Sequence, residues 1–133
     1  MVEARAIWTD KDRFLGDATS GHALVMDAGE PKSASTPIEL VLIALCGCTA
    51  TDVVSILRKK REALIGLEVV AHGERAEEHP KVYTHIKLVY RVRGSVTHKA
   101  VEDAVRLSKE KYCSVSAMLE KTAKIEFEIE YVE

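Results

Sequence analysis

Residues 40–61, LVLIALCGCTATDVVSILRKKR, form an apolar run that carries two cysteines and ends in four basic residues. Between residues 40 and 57 the apolar side chains fall on almost every face of a helix, so such a helix needs cover nearly all round. A chain of 133 residues has little material to provide that cover. We therefore expect a second copy of the chain to provide part of it, in a homodimer.

The helix that contains this run is predicted over residues 37–62. Ser35 or Thr36 is a suitable N-cap, Pro37 suits the first turn, and Glu39 follows close behind. Before the helix, a stretch rich in Gly, Pro, Ser and Thr predicts a loop. Short apolar alternations predict strands earlier still, as a hairpin or meander. The two strands and the loop cover residues 2–9, 21–27 and 28–37.

The part of the chain after the long helix alternates between strand and helix patterns. Two strands come first, then a helix with Thr97 as its cap, a shorter helix and a closing strand with apolar residues on one face. This order predicts an α+β fold with antiparallel sheet rather than a doubly wound fold. The predicted ranges are 66–75, 82–93, 97–109, 111–121 and 125–132.

Length and composition predict one domain spanning residues 1–133, with 47% hydrophobic residues to build a core. The net charge of −2 gives no general attraction to nucleic acid or anionic membranes. The N-terminal residues lack the pattern of a signal peptide, so we expect a cytoplasmic protein. The uncharged run at 40–51 is shorter than the roughly twenty apolar residues that span a bilayer, which predicts a buried core helix.

Three cysteines in a chain without a secretory signal indicate free, metal-bound or redox-active thiols rather than a disulfide framework. Cys46 and Cys48 point about 200° apart on a helix, and the five histidines have no paired spacing with them, so no metal site is expected. Cys46 is interpreted as a packed core residue. Cys48 has small neighbours, including Gly47, that leave room for a substrate or partner to approach its sulfur.

Cys113 lies at a predicted helix start, close to Lys109 and Lys111. Helix N-termini and nearby cations lower the pKa of a thiol, so local reasoning predicts that Cys113 is the more acidic thiol. No residue next to Cys48 in the sequence provides such a cation. A group that activates Cys48 has to come from elsewhere in the fold.

Three segments, STPIELVLIALCGCTATDVVSILRKK (35–60), EEHPKVYTHIKLVYRV (77–92) and LSKEKYCSVSAMLEK (107–121), resemble the OsmC/Ohr family, and within it the short OsmC-like branch. The family comprises osmotically inducible protein C and organic hydroperoxide resistance protein. The likeness covers nearly the whole chain in the right order. Its specific motifs are a helix cysteine eleven residues after the proline of a Thr-Pro pair, here Cys48, and a Cys-x-x-Ser at a late helix start, here Cys113–Ser116.

The resemblance implies an intertwined OsmC-like α+β homodimer, with antiparallel sheets around long central helices and active sites at the interface. It also implies a thiol peroxidase with an antioxidant role in oxidative stress. Cys48 matches the cysteine that attacks an organic hydroperoxide, and Cys113 matches the resolving cysteine that forms a disulfide with it. An external dithiol would reduce that disulfide, with no metal or organic cofactor, and Cys46 matches no catalytic position.

Two motifs depart from the family's peroxidase pattern. Ile38 stands where those proteins have a glutamate, and Glu39 comes one residue later, about 100° around an ideal helix. Arg13 is the candidate for the family's activating arginine, with Arg5 as the alternative. The second motif reads Cys-Ser-Val-Ser instead of Cys-Pro-x-Ser.

The alternative function is a non-catalytic module of the same fold, which responds to redox state or binds a small apolar ligand.

Overall fold

The computed structural model describes all 133 residues, Met1–Glu133. It consists of two compact units, Met1–Val41 and Leu42–Glu133. The α+β class predicted from the sequence is confirmed. The elements are β1 (Ala4–Asp10), β2 (Arg13–Ala18), β3 (Leu24–Asp27), α1 (Pro37–Lys59), β4 (Ala63–Arg75), β5 (Tyr83–Ser95), α2 (His98–Leu107), a π-helical turn (Ser108–Tyr112), α3 (Ser114–Leu119) and β6 (Lys124–Val132).

The first unit contains an antiparallel sheet in the order β1-β2-β3. The two predicted strands are present as β1 and β3, and β2 lies between them as a strand that the apolar pattern did not mark. Gly16 explains the weak pattern, because it occupies a buried position of β2. A Cβ added there would lie 2.9 Å from the side chain of Met26 on β3. Glycine therefore stands at the position where an apolar residue would have revealed the strand.

Helix α1 begins at Pro37, as predicted, and a capping box fixes its start. The backbone N–H of Glu39 donates to Thr36 Oγ1 at 3.1 Å, and the N–H of Thr36 donates to Glu39 Oε1 at 2.8 Å. The helix ends at Lys59 rather than at residue 62. Arg61 adopts a left-handed conformation with φ 57°, and the N–H of Glu62 donates to the carbonyl of Leu57 at 3.0 Å. This is a Schellman end with arginine in the position that glycine usually takes, so no glycine marks the end of the helix.

One stripe of α1 is buried within the single chain. Leu45, Thr49, Val53 and Leu57 recur every fourth residue and are at most 2% exposed. The opposite face is open, and Ile43 is 54% exposed there. The cover all round that the sequence predicts is therefore not provided by one copy of the chain.

Helix α1 also has the length and apolar character of a membrane span, with a mean hydropathy of 2.2 over its most apolar 18-residue window. The uncharged residues 40–51 alone are too short to span a bilayer, but the whole helix is longer than this run. Core helices of soluble proteins meet the same test of length and composition. The test therefore does not assign α1 to a membrane.

The second sheet has the order β4-β5-β6 and corrects one detail of the predicted fold. Strands β4 and β5 pair in antiparallel fashion, as expected, but β6 is parallel to β5. Helices α2 and α3 with the π-helical turn between them form the crossover that a parallel pair requires. One face of α2 is buried in the core of this unit. The core consists of Leu45, Val53, Leu57, Ile86, Tyr90, Val92, Val101, Ala104 and Val105, each at most 1% exposed.

Candidate active site

The structure brings Cys48 and Cys113 together. Cys48 lies on α1 and is half-buried, whereas Cys113 is buried, with 3% of its surface exposed, and caps the N-terminus of α3. Cys48 lies near enough to Cys113 to raise the pKa of its thiol, and both thiols are free. The chain therefore contains a close pair of reduced thiols contributed by two separate helices.

Backbone geometry holds Cys113 in place from both sides. On one side, its N–H donates to the carbonyl of Ser108 at 2.8 Å, which closes the π-helical turn. On the other side, its Sγ accepts from the N–H of Ser116 at 3.4 Å, and Ser116 Oγ donates to the carbonyl of Cys113 at 3.1 Å. Ser116 is the serine of the Cys-x-x-Ser motif, so the motif has a direct structural role as a cap.

The prediction that the helix start and the nearby lysines lower the pKa of Cys113 is wrong. Burial raises the pKa of Cys113 above its ordinary value, hydrogen bonds from Ser116 oppose the rise, and the neighbouring Cys48 adds to it. The two lysines expected to lower this pKa have other contacts. Lys109 Nζ donates to the carbonyl of Ile125 at 2.8 Å, and Lys111 Nζ lies 5.2 Å from the centre of the Tyr112 ring.

Cys46 has a different environment from Cys48. It is half-buried, and its sulfur lies near the backbone N–H of Ala71 on β4. Burial raises the pKa of this thiol, and the backbone hydrogen bond opposes the rise. Cys46 thus packs between α1 and the sheet, in line with its interpretation as a structural residue.

A chain of buried hydrogen bonds lies beside the thiol pair and was not predicted from the sequence. Ser108 Oγ donates to Asp52 Oδ2 at 2.8 Å, and Thr49 Oγ1 lies 2.8 Å from Ser108 Oγ and 2.7 Å from the hydroxyl of Tyr90. Burial raises the pKa of Tyr90 to about 12. The phenol therefore remains protonated at neutral pH. These four residues come from three elements far apart in sequence, so no local sequence motif predicts the network.

Glu39 and Arg13, the candidate activating groups, both lie in the first unit. Glu39 is exposed and forms the capping box with Thr36, whose hydrogen bonds lower the pKa of the carboxyl group. Arg13 Nη2 pairs with Asp10 Oδ2 at 2.6 Å, and Arg13 Nη1 lies 3.5 Å from Ser33 Oγ. Arg5, the alternative, pairs with Asp17 at 2.9 Å. Each candidate already has a partner within its own unit.

The structure contains no group of three or more His, Cys, Asp or Glu side chains placed to hold a metal ion. An open groove of about 790 Å³ runs along the C-terminal half of α1. Its lining is apolar and hydroxylic in one part and basic in the other. The lining residues are Ala50, Thr51, Val54, Ser55, Arg58 and Lys59.

Comparisons with known proteins agree on one family. The family model described as OsmC-like protein matches residues 29–128. Protein YhfA of Escherichia coli strain K12 is 46% identical over 132 residues, which cover 98% of each chain. The matched residues of this chain span both of its cysteine motifs.

Solved structures share the fold of this chain. A hypothetical protein from Aquifex aeolicus VF5 is 34% identical, with a TM-score of 0.86 over 100% of this chain and 98% of that chain. An organic hydroperoxide resistance protein from Elizabethkingia anophelis has a TM-score of 0.77 over 99% of this chain and 96% of that chain. Its identity is 12%, so this last likeness concerns the fold alone.

Proposed function

Because the chain belongs to the OsmC-like protein family, we propose that it is a thiol-dependent peroxidase that reduces organic hydroperoxides through Cys48 and Cys113. Membership of the OsmC/Ohr family indicates a redox role related to peroxides. The proposal adds to that role a substrate class and two residues. It treats residues 1–133 as a single OsmC-like domain.

The proximity of Cys48 to Cys113, which raises the pKa of the Cys113 thiol, is the observation that supports the proposal best. A sulfenic acid on one cysteine condenses rapidly with a second thiol only when the two sulfurs can approach each other. Cys48 is the partly accessible member of the pair, whereas Cys113 is buried. We therefore assign the attack on the peroxide to Cys48 and the resolving step to Cys113.

The reaction has two balanced steps. The Cys48 thiolate attacks the outer oxygen of ROOH and breaks the O–O bond; a proton reaches the leaving alkoxide, which gives ROH and Cys48 sulfenic acid. The sulfur of Cys113 then attacks the sulfur of Cys48, and the Cys113 proton leaves with the hydroxyl group as water. The resulting disulfide is reduced by an external dithiol, which becomes oxidised in turn.

We further propose that the protein is a cytoplasmic homodimer whose active sites lie at the interface. The open face of α1 supports the dimer, because Ile43 is 54% exposed and Gly47 has space for a Cβ within one copy. Arg13 and Glu39 remain the candidates for activating Cys48. The peroxidase proposal does not rest on either residue, because each has a hydrogen-bond or ion-pair partner in its own unit.

A non-catalytic module is the second candidate, and two observations favour it. Burial raises the pKa of Cys113, and Glu39 is engaged in the capping box. A thiol that stays protonated resolves a sulfenic acid more slowly. The groove beside α1, with its apolar part and its basic end at Arg58 and Lys59, would then bind a small apolar ligand.

A single-turnover experiment separates the two candidates. Reduced protein is mixed with one equivalent of tert-butyl hydroperoxide or of hydrogen peroxide, quenched with an alkylating reagent and mapped by mass spectrometry. We expect a Cys48–Cys113 disulfide, formed faster with the alkyl hydroperoxide. Cys48→Ser should abolish peroxide consumption, whereas the matched Cys46→Ser should retain it. Full consumption by Cys48→Ser would reject the peroxidase assignment.

A further inference from the structure

The chain of hydrogen bonds formed by Tyr90, Thr49, Ser108 and Asp52 connects the two segments that carry the thiols. Thr49 and Asp52 lie on α1, Thr49 directly after Cys48, and Ser108 opens the π-helical turn that leads to Cys113. Thr49 and Ser108 are at most 2% exposed. No buried side-chain nitrogen or oxygen in the structure lacks a partner, so the network is complete.

The direction of the network follows from its end at Asp52. The hydroxyl group of Ser108 donates to Asp52 Oδ2, so its single proton is committed to that bond. Thr49 therefore donates to Ser108, and the phenol of Tyr90 donates to Thr49. Every hydroxyl in the chain donates once, and Ser108 and Thr49 each accept once.

Ser108 uses its side chain and its main chain at the same time. Its hydroxyl group binds two residues of α1, and its carbonyl oxygen accepts the N–H of Cys113 at 2.8 Å. The main chain of Cys113 is thus attached to the helix of Cys48 through one residue. A shift of Ser108 relative to α1 would move Cys113 relative to Cys48.

We propose that Ser108 is a positioning residue, held by Asp52, Thr49 and Tyr90, that keeps Cys113 in reach of Cys48 for disulfide formation. This inference rests on the proposed Cys48–Cys113 redox pair. It adds the residues that determine how readily Cys48 and Cys113 form a disulfide. Buried networks of this kind favour one arrangement of the elements they join, because any other arrangement leaves polar groups without partners.

The test measures the equilibrium between the thiol pair and its disulfide without any peroxide. Full-length protein is incubated with mixtures of reduced and oxidised dithiothreitol, alkylated and mapped, so that one disulfide forms for each reagent disulfide reduced. We expect Ser108→Ala to lower the equilibrium constant for the Cys48–Cys113 disulfide about tenfold, the factor that one lost hydrogen bond to a charged group typically represents. Tyr90→Phe should have a smaller effect, because Ser108 keeps its bond to Asp52.

Thr84→Val is the matched control, and Thr49→Val is the isosteric variant of the network. Thr84 lies on β5 and donates from an exposed hydroxyl to the carbonyl of Glu74 at 3.2 Å, so its loss should leave the equilibrium constant unchanged. Thr49→Val should lower it, and this variant keeps the proposal testable if Ser108→Ala does not fold. A purely structural role would destabilise both redox forms equally. Folded Ser108→Ala or Thr49→Val with the wild-type equilibrium constant would therefore overturn the proposal.

This experiment and the peroxide assay can fail separately. If hydroperoxides do not oxidise Cys48 but Ser108→Ala still weakens the disulfide, the positioning role stands and the peroxidase assignment fails. If hydroperoxides are consumed and Ser108→Ala resolves at the wild-type rate, the positioning role fails. Where both hold, Ser108→Ala should form the Cys48 sulfenic acid at the wild-type rate and convert it to disulfide about tenfold more slowly.

Discussion

The carbonyl oxygen of Ser108 accepts the backbone N–H of Cys113 at 2.8 Å, and this bond closes a single π-helical turn. The turn replaces what would otherwise be a continuous helix from His98 into the second cysteine motif. Its wider ring ends α2 and allows Cys113 to adopt the extended conformation of an N-cap, with ψ 101°. The buried thiol is thereby directed toward α1 instead of lying along a helix face.

Removal of Cys113 should trap the first product of the proposed reaction. In Cys113→Ala, one equivalent of tert-butyl hydroperoxide should leave Cys48 as a sulfenic acid, which a cyclic 1,3-diketone labels for mass spectrometry. The wild type should show little label, because the neighbouring thiol converts the sulfenic acid to a disulfide. Cys46→Ala should behave like the wild type. Strong labelling of wild-type Cys48 would argue against Cys113 as the resolving thiol.

The buried thiol of Cys113 should titrate at high pH. In a Cys46→Ala/Cys48→Ala variant, we expect the rate of alkylation by iodoacetamide to rise with a midpoint above the ordinary value of 9.0, because burial disfavours the thiolate. The full pH profile is measured under native conditions. The same variant in denaturant serves as the control. A native midpoint below the denatured one would contradict the environment described for Cys113.

The capping box separates two possible roles of Glu39. Thr36→Ala should lower the free energy of unfolding by about 1 kcal/mol, as loss of a helix N-cap usually does. Glu39→Gln should nearly preserve stability, because its side-chain oxygen can still accept the N–H of Thr36. Urea unfolding measures both. If Glu39 also activates Cys48, Glu39→Gln should reduce the peroxide rate at unchanged stability, whereas an unchanged rate would limit Glu39 to capping.

The carboxylate of Asp27 should stabilise the folded protein at neutral pH and lose this contribution in acid. Its carboxylate accepts from Ser33 Oγ at 2.6 Å and from the backbone N–H groups of Ser33 and Gly29, and these bonds lower its pKa from 3.8 to about 2. A carboxyl group whose pKa is lower in the folded state stabilises that state above its unfolded pKa. The contribution is lost as the pH falls from about 4 to about 2.

Asp27→Asn therefore should lower the urea midpoint at pH 7 and flatten its dependence on pH in that acid range. The measurement is a series of urea unfolding curves at fixed ionic strength. Asp12→Asn is the control at a nearby carboxyl group, in the turn between β1 and β2. An unchanged pH dependence in Asp27→Asn would mean that its hydrogen bonds do not contribute to acid stability.

The open face of α1 should be where two copies meet. Ile43→Glu should raise the dissociation constant of the dimer by about a hundredfold, because burying an unpaired carboxylate costs several kcal/mol. Sedimentation equilibrium measures the change. Ile65→Glu is the matched control, since Ile65 is 78% exposed on β4. A dimer that survives Ile43→Glu would place the interface elsewhere.

The sequence predicted elements whose signals are local. Pro37 and the residues around it marked the start of α1, and the alternation in residues 125–132 marked β6. The same approach missed β2, because the inward position at Gly16 carries no side chain. It placed the end of α1 three residues late, because Arg61 adopts the conformation that usually identifies a glycine. Both errors arise where a residue type occupies an unusual backbone position: a glycine inside a strand, and an arginine in a left-handed conformation.

By itself, the sequence determined the α+β class, the long apolar helix and the two cysteine motifs, because each depends on residues close together along the chain. Tertiary structure decided which groups meet. Cys48 lies near enough to Cys113 to raise its pKa, Ser108 donates a hydrogen bond to Asp52, and burial raises the pKa of the thiol that local charges suggested would be acidic. Such contacts and pKa shifts depend on how segments distant in sequence pack and on how far they exclude water. The residues adjacent to any one position in the sequence do not reveal either property.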